Sequence, residues 1–459
     1  MEIKVSTLKS QIITDNPELL KALRELYSFK IPGSEYSPAY KRGGWDGKQH
    51  FITNTGKFPT GLLSRVLADL KKIECEPEVE YDHSITSEWY HHELITIDRF
   101  KYYDYQENLI NQALDKKRGI IKSPTGSGKT LIMAGILKAL SGRKTVVLFN
   151  AKQLLTQTYE FLTEDCKMKN IGICYGEGFV YGDVMLCTIQ SLEKILDTHL
   201  KQSEVLLVDE CHEFSKGRTT LAAINSFPKA VYRLGFTATT PSERIPKYNL
   251  EGAFGPVIEV ANTADLVEKG KLTRPIIQLV DRPYDCSGLD ENMSYEEVYD
   301  TYIVNNTTRN DIIKNIVYEI TKKQSARILI LTKSLAHGRI LEDLLKEFVR
   351  CSFIEGANSI GERYKAISEF RRESSASVII GTRVLQTGVN IKEITHLINA
   401  RGLKGEIATL QALGRALRKF EGKDNAYIYD FLDKEKYLKN HANQRKKHYQ
   451  KEGHEVRIL

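Results

Sequence analysis

Cysteine is sparse, and its pattern is that of unpaired residues. The 459-residue chain has 7 cysteines, at positions 75, 166, 174, 187, 211, 286 and 351, with no C-x-x-C pair. That excludes a disulfide framework and a cysteine zinc site, and it fits a reducing compartment. No apolar run approaches the roughly 18 residues of a membrane span. The opening Met1-Glu2-Ile3-Lys4 lacks the basic-then-apolar order of a secretory signal, so a cytoplasmic location is expected. Repeats and low-complexity blocks are missing too, which argues against a solenoid. Neither sign of charge dominates: 66 Lys and Arg face 59 Asp and Glu, a formal net charge of +7. This mild excess suits a polyanionic partner without demanding one. What is present is ordinary for a chain with a real core, 41% hydrophobic and 27% charged. The length corresponds to about three domains at roughly 100–200 residues each.

Five zones are read along the chain. Residues 1–90 mix strand and helix patterns and end in an acidic stretch from Glu74 to Asp82. Residues 91–262 alternate short apolar runs with helical patterns; the runs include Gly119 to Ile121, Thr145 to Phe149, Val184 to Cys187 and Val205 to Val208. Such alternation predicts a parallel sheet wrapped by helices. Residues 263–300 are polar and punctuated by Pro275, Pro283 and Gly288, and read as a linker. The alternation restarts over 301–432, with strands expected at Ala326 to Leu331, Val378 to Ile380, Leu397-Ile398 and Ala426 to Tyr429. A basic tail, 433–459, follows. The fold class is therefore α/β, two tandem parallel-sheet domains behind a small α+β N-terminal domain. That class alone hosts many unrelated enzymes.

Chemistry enters after the first of these strands. Ser123-Pro124-Thr125-Gly126-Ser127-Gly128-Lys129-Thr130 leads into a helical run from Leu131 to Leu140. A glycine-rich turn between strand and helix points backbone N–H groups at phosphate oxygens, and the helix dipole adds to their pull. Lys129 supplies charge to the β and γ phosphates, and the Thr130 hydroxyl can ligate Mg²⁺. ATP and Mg²⁺ are thus the expected ligands, although Ser123 stands where the usual loop begins with glycine. A second strand runs into Asp209-Glu210-Cys211-His212. Asp209 is expected to hold Mg²⁺, and Glu210 to orient or deprotonate the attacking water. Taken alone, an Asp-Glu pair ending a strand reads equally well as a helix N-cap.

The series as a whole resembles the superfamily 2 helicases and translocases, whose motor domains are RecA-like. Asp209-Glu210-Cys211-His212 matches their DExH box, and Tyr105-Gln106 resembles the adenine-reading glutamine motif. Phe149-Asn150-Ala151-Lys152 and Thr188-Ile189-Gln190-Ser191-Leu192 hold the places that touch the nucleic-acid backbone; Thr237-Ala238-Thr239 holds that of the coupling motif. Gly381-Thr382-Arg383 through Gly388-Val389-Asn390 resembles motif V, with Asn390 where Asp is usual. Gln411 to Arg418 matches motif VI, the arginine-finger helix. The resemblance implies ATP contacts from Gln106, from Pro124 to Thr130 and from Gly388, with catalytic roles for Lys129, Asp209, Glu210, Gln411, Arg415 and Arg418. It also implies coupling by His212, Thr237 and Thr239, and backbone contacts from Lys152, Thr188, Gln190, Ser191 and Thr382. Arg415 and Arg418 are three apart, so a helix puts both on one face, where they can neutralise transition-state charge; two arginines so spaced are equally an ordinary basic surface pair.

Between Tyr36 and Val66 the N-terminal zone carries Lys41, Arg42, Lys48, Lys57 and Arg65 against one acid, Asp46, interleaved with Tyr36, Tyr40, Trp45, Phe51 and Phe58. Basic residues among aromatics suit a phosphate groove with base-stacking faces, with Lys41, Arg42, Trp45 and Lys48 as nucleic-acid contacts. A β-hairpin mini-core under solvated lysines reads the same residues. The small N-terminal domain with its Tyr40-Lys41 to Trp45-Asp46-Gly47-Lys48 segment, the compact motor and the absence of large insertions resemble phage UvsW-type branch-migration helicases. That resemblance implies a DNA partner, branched or forked, in recombination, repair or replication, with possible recombination or replication proteins as partners. An RNA helicase, the motor subunit of a nuclease complex and a non-enzymatic nucleic-acid clamp are the competing readings. The stretch from Lys436 to Lys451 has six Lys or Arg and no acid; it reads as a solvated, frayed helix or as extra phosphate affinity.

Overall fold

Val146 to Phe149 and Val205 to Val208 are apolar at every position, which a strand tolerates only when both faces are covered; all eight are buried. The computed structural model describes residues 1–86, 90–91, 95–97, 99–195, 201–215, 217–259, 262–281, 292–323, 326–372, 375–382 and 391–459. Its contacts gather the chain into two units, Met1–Ser123 with Gly128–Val260, and Pro124–Ser127 with Ala261–Leu459.

The first unit begins with β1 (Glu2–Val5), β2 (Lys9–Ile13), α1 (Pro17–Leu26) and β3 (Ser28–Lys30). It continues with β4 (Lys48–His50), β5 (Lys57–Pro59), α2 (Leu63–Lys71) and β6 (Glu78–Tyr81). Asn16 caps α1 by accepting from the Leu19 N–H, and Pro17 at its first turn loses no helical hydrogen bond. A four-stranded sheet, β5-β2-β1-β6, and a separate β3-β4 pair result. Phe51 and Phe58 are core residues of this domain beside Ile3, Leu23 and Val66. The hairpin mini-core reading therefore holds for these two rings, and neither offers a stacking face.

The motor sheet of the same unit follows α3 (Asp104–Lys116) and starts with β7 (Arg118–Lys122), α4 (Lys129–Ala139) and β8 (Thr145–Phe149). Then come β9 (Ile171–Tyr175), β10 (Gly178–Val180), β11 (Val184–Thr188), β12 (Val205–Val208), β13 (Tyr232–Thr237), α5 (Arg244–Phe254) and β14 (Val257–Ile258). The order is β10-β9-β11-β8-β12-β13-β7-β14. Every pairing is parallel except β10 with β9. Parallel pairing brings the C-terminal ends of β7, β12 and β13 to one edge, where a sheet of this kind presents its ligands.

The N-terminal domain is seated on α5. Arg65 donates to Glu251 Oε2 through Nη2 at 2.6 Å and Nε at 3.0 Å, and its guanidinium lies 4.9 Å from the Tyr248 ring centroid. Tyr27, Phe29 and Phe51 surround the same ring at 5.9, 4.7 and 5.4 Å. Gly61 lets the backbones close: a Cβ there would stand 2.0 Å from Glu251 O.

The second unit contains β15 (Arg274–Val280), α6 (Thr307–Lys323), β16 (Arg327–Leu331), β17 (Arg350–Ile354), β18 (Ser377–Gly381) and β19 (His396–Asn399), then α7 (Glu406–Ala416), β20 (Asn425–Phe431), α8 (Lys436–Lys451) and β21 (Val456–Ile458). Its strands form one parallel sheet, β17-β18-β16-β19-β20-β15-β21. Two sequence expectations are corrected. The stretch read as a linker, 263–300, contributes β15, which pairs with β20 along its whole length; residues 282–291 of that stretch lie outside the described residues. Nor is the tail frayed, since α8 buries Leu438, Ala442, Arg445 and Tyr449 and β21 extends the sheet. Arg445 Nε donates to Asp430 Oδ1 and Oδ2, both at 3.0 Å, and Tyr449 OH donates to Asp430 Oδ2 at 2.8 Å. Asp433 takes Arg309 Nε at 3.0 Å and lies 3.5 Å from Arg445 Nη2. Burial alone would lower the Arg445 pKa, but Asp430 and Asp433 more than offset it.

Removing one partner of a buried ion pair strands the other charge. Arg445→Met is expected to destabilise the second unit by about 3–5 kcal/mol in denaturant unfolding. Gly61→Ala should cost roughly 1–3 kcal/mol and expose the α5 face to limited proteolysis, because the obstructing atom is backbone.

Candidate ATP site and nucleic-acid face

The glycine-rich loop leaves β7 at Ser123, whose N–H donates to Thr237 O at 3.0 Å, and enters α4 at Lys129. Gly126 and Gly128 have φ of 88° and 85°, backbone that a side chain would strain. Ser127 Oγ donates to Pro124 O at 2.6 Å, and Lys129 Nζ reaches Ser123 O at 3.1 Å. Gln106 Oε1 accepts from the Tyr103 N–H at 3.0 Å, closing the first turn of α3. Its Nε2 lies where a Cβ on Gly128 would come within 2.4 Å, so the glutamine motif and the loop are in contact. Thr130 sits half-buried in the first turn of α4.

Asp209 follows β12 directly, its N–H donating to Leu148 O at 3.0 Å, and its Oδ1 accepts from the Glu210 N–H at 3.0 Å. Burial and the adjacent Glu210 charge push its carboxyl above the usual carboxylate range, with Lys129 opposing them. Glu210 has φ 45° and ψ 48°, a left-handed conformation costly for a residue with a Cβ. Its buried Oε2 accepts no hydrogen bond, although His212 Nδ1 lies 3.4 Å away. Thr237 Oγ1 donates to Thr239 O at 2.7 Å and lies 2.8 Å from His212 Nδ1. With the threonine proton committed, the histidine nitrogen is the donor. Lys129, Asp209, Glu210, His212, Thr237, Thr239 and Gln106 thus gather at one edge of the motor sheet. An orphaned carboxylate oxygen, a carboxyl that lacks a full counter-charge and a cradle closed to side chains all fit a nucleotide with a divalent cation.

Gln411, Arg415 and Arg418 are carried by α7 and the turn after it, in the second unit. Arg415 is buried, and the side chain of Gln411 lies outside the described residues. Gly388 also lies outside them, with the rest of 383–390, leaving Thr382 at the end of β18. A residue with no sequence signal holds this helix end. Lys423 Nζ donates to Ala416 O at 2.6 Å and to Lys392 O and Arg418 O at 3.1 Å each, an ammonium on the carbonyl end of α7.

The expected nucleic-acid contacts differ in availability. Lys152 is exposed, 4.3 Å from the Tyr175 ring centroid, and Gln190 is exposed. Thr188 and Ser191 are only 5% exposed and bond each other at 3.1 Å, so their side chains shape the turn and present little hydroxyl surface. Lys41 and Arg42 are exposed beside Tyr36 and Tyr40, with Trp45 half-buried and its Nε1 donating to Lys48 O at 3.1 Å. Lys48 pairs with Glu25 at 2.8 Å, which offsets its charge.

Three families match in series. Residues 3–82 match the N-terminal domain of the DNA helicase UvsW, 99–242 the res subunit of type III restriction enzymes, and 308–420 the helicase conserved C-terminal domain. The chain is a superfamily 2 DExH helicase. This helicase is 23% identical over 453 residues to the ATP-dependent DNA helicase uvsW of Enterobacteria phage T4, covering 93% of this chain and 89% of that one. It is 23% identical over 330 residues to a putative DNA 3'-5' helicase Rad25 of Haloarcula marismortui, 70% of this chain and 51% of that one. Its fold is shared with S. cerevisiae Dbp5 bound to RNA and ADP BeF3, with a TM-score of 0.57, 16% identity, and 78% and 90% of the two chains covered. Among the described residues no helix is long and apolar enough to cross a membrane.

The two carboxylate and loop positions separate binding from turnover. Lys129→Ala should weaken binding of a fluorescent ATP analogue. Glu210→Gln should keep that binding and lower phosphate release by about 10²–10⁴-fold, the worth of a positioned proton acceptor.

Proposed function

We propose that this helicase uses ATP to remodel branched DNA, at forks, D-loops and four-way junctions, in recombination, repair or replication. The observation that carries the reading is the UvsW-type N-terminal domain seated on α5, the helix that follows the coupling residues Thr237 and Thr239. A DNA-engaging domain fixed there lies in the same unit as Lys129, Asp209 and Glu210. Its exposed Tyr36, Tyr40, Lys41 and Arg42 offer stacking faces and phosphate charge on the segment between β3 and β4.

In this reading the loop from Pro124 to Thr130 cradles the phosphates and Lys129 holds the β and γ oxygens. Gln106 reads the adenine. Thr130 and Asp209 hold Mg²⁺, which when bound neutralises phosphate charge. Glu210 accepts a proton from the attacking water, while Arg415 and Arg418 offset the charge developing on the transferred phosphoryl group. His212, Thr237 and Thr239 pass the state of that site to the strand ends around them. Lys152, Gln190 and Thr382 contact the backbone of the bound strand without reading its bases.

ATP turnover compared on single-stranded DNA, duplex DNA, a four-way junction and single-stranded RNA tests this. The junction should stimulate most, with a steep loss between low and moderate salt. Greater stimulation by RNA would overturn the reading and move this helicase to RNA metabolism.

A further inference from the structure

One chain of hydrogen bonds runs from the N-terminal domain to the DExH turn. Gln49 on β4 donates from Nε2 to Asn249 Oδ1 on α5 at 2.7 Å. Asn249 Nδ2 donates in turn to Ser215 O at 3.0 Å. Ser215 is fully buried at the end of the short turn Cys211–Phe214, and its Oγ donates to His212 O at 2.6 Å. His212 then meets Thr237 Oγ1 at 2.8 Å. The outer end is stitched to the basic loop: Lys48 N donates to Asp46 Oδ1 at 3.0 Å, Trp45 Nε1 to Lys48 O at 3.1 Å, and His50 Nε2 lies 2.9 Å from Asp46 Oδ2. Gln49 stands between Lys48 and His50, so displacement of that loop displaces Gln49.

Docking does not need this contact. The Arg65–Glu251 pair and the rings around Tyr248 already seat the domain on α5. Asn249 differs from those groups in having both ends committed, its oxygen to the N-terminal domain and its nitrogen to the backbone of the DExH turn. A planar amide held at both ends cannot follow one partner without moving against the other. Both amides also line a cleft of about 280 Å³ that carries Lys9 and Lys57, so solution reaches the outer end of the chain.

We propose that Gln49 and Asn249 are positioning residues that transmit engagement of the basic loop by DNA to His212, and so set how strongly DNA stimulates ATP turnover. The proposal rests on the functional reading above. Two variants of the full chain cut the relay at different links. Gln49→Leu removes the outer donor. Asn249→Asp keeps the acceptor for Gln49 but replaces the donor to Ser215 O with a carboxylate oxygen.

Turnover is measured without DNA and with a four-way junction, alongside the KM for ATP and the melting transition. Gln49→Leu should melt like the unaltered chain, keep its DNA-free turnover and KM, and lose about five-fold in stimulation, the worth of one neutral hydrogen bond. Asn249→Asp should lose stimulation to a similar degree, and the double variant should be no worse than either single one, because both cut a single path. Additive losses, or full stimulation in folded Gln49→Leu, would overturn the relay, and Gln49→Leu decides the matter if Asn249→Asp does not fold. An unaltered chain that no DNA stimulates would overturn the functional reading itself.

Discussion

Two neighbouring, half-buried carboxylates at the end of β12 set the terms for the rest of the first unit. Burial, and then the adjacent Glu210 charge, raise the cost of ionising Asp209. Such a pair is tolerable only opposite positive charge and beside groups that can absorb what remains. Lys129 supplies part of that charge. The left-handed backbone at Glu210 adds a conformational cost at the same turn. Parallel pairing of β12 with β8 and β13 then fixes where both acids stand relative to Ser123 and Thr237. The candidate ATP site is in this sense a sheet edge on which one strand ends in excess negative charge.

The same edge explains why α5 is the place to seat another domain. This helix leaves the sheet soon after Thr237 and returns to it through β14, so whatever holds α5 also constrains β13. Arg65 against the buried Glu251 makes the attachment specific, and Gly61 allows it to be close. A domain held this tightly adds its surface to the motor without adding a joint.

The motor was legible because its signals are local. Gly126 and Gly128 are glycines because the loop needs positive φ, and the strands announce themselves because burial on both faces removes every polar position. What escaped depends on partners far along the chain. β15 pairs with β20, some 150 residues later, and nothing near Arg274 to Val280 distinguishes a strand of the sheet from an extended connection. Phe51 and Phe58 are as aromatic as Tyr36 and Tyr40, and only the packing separates core from surface. Lys423 and Asn249 act through backbone carbonyls, which carry no residue signature.

The C-terminal helix shows why a hydropathy stripe can hide. Leu438, Ala442, Arg445 and Tyr449 fall four, three and four apart, the spacing of one helical face. The third member is an arginine, so the face reads as broken and the helix as solvated. Burying Arg445 is possible because Asp430, at the inner end of β20, needs a cation as much as Arg445 needs an anion; Asn399 and Tyr449 fill the carboxylate's remaining positions. The ion pair thus does the work of a hydrophobic residue in placing α8, with a stricter requirement on geometry. That requirement ties the strand, the helix and, through Asp433 and Arg309, the start of α6 to one arrangement. A purely apolar contact would allow the helix to slide by a turn; paired charges with directed hydrogen bonds do not.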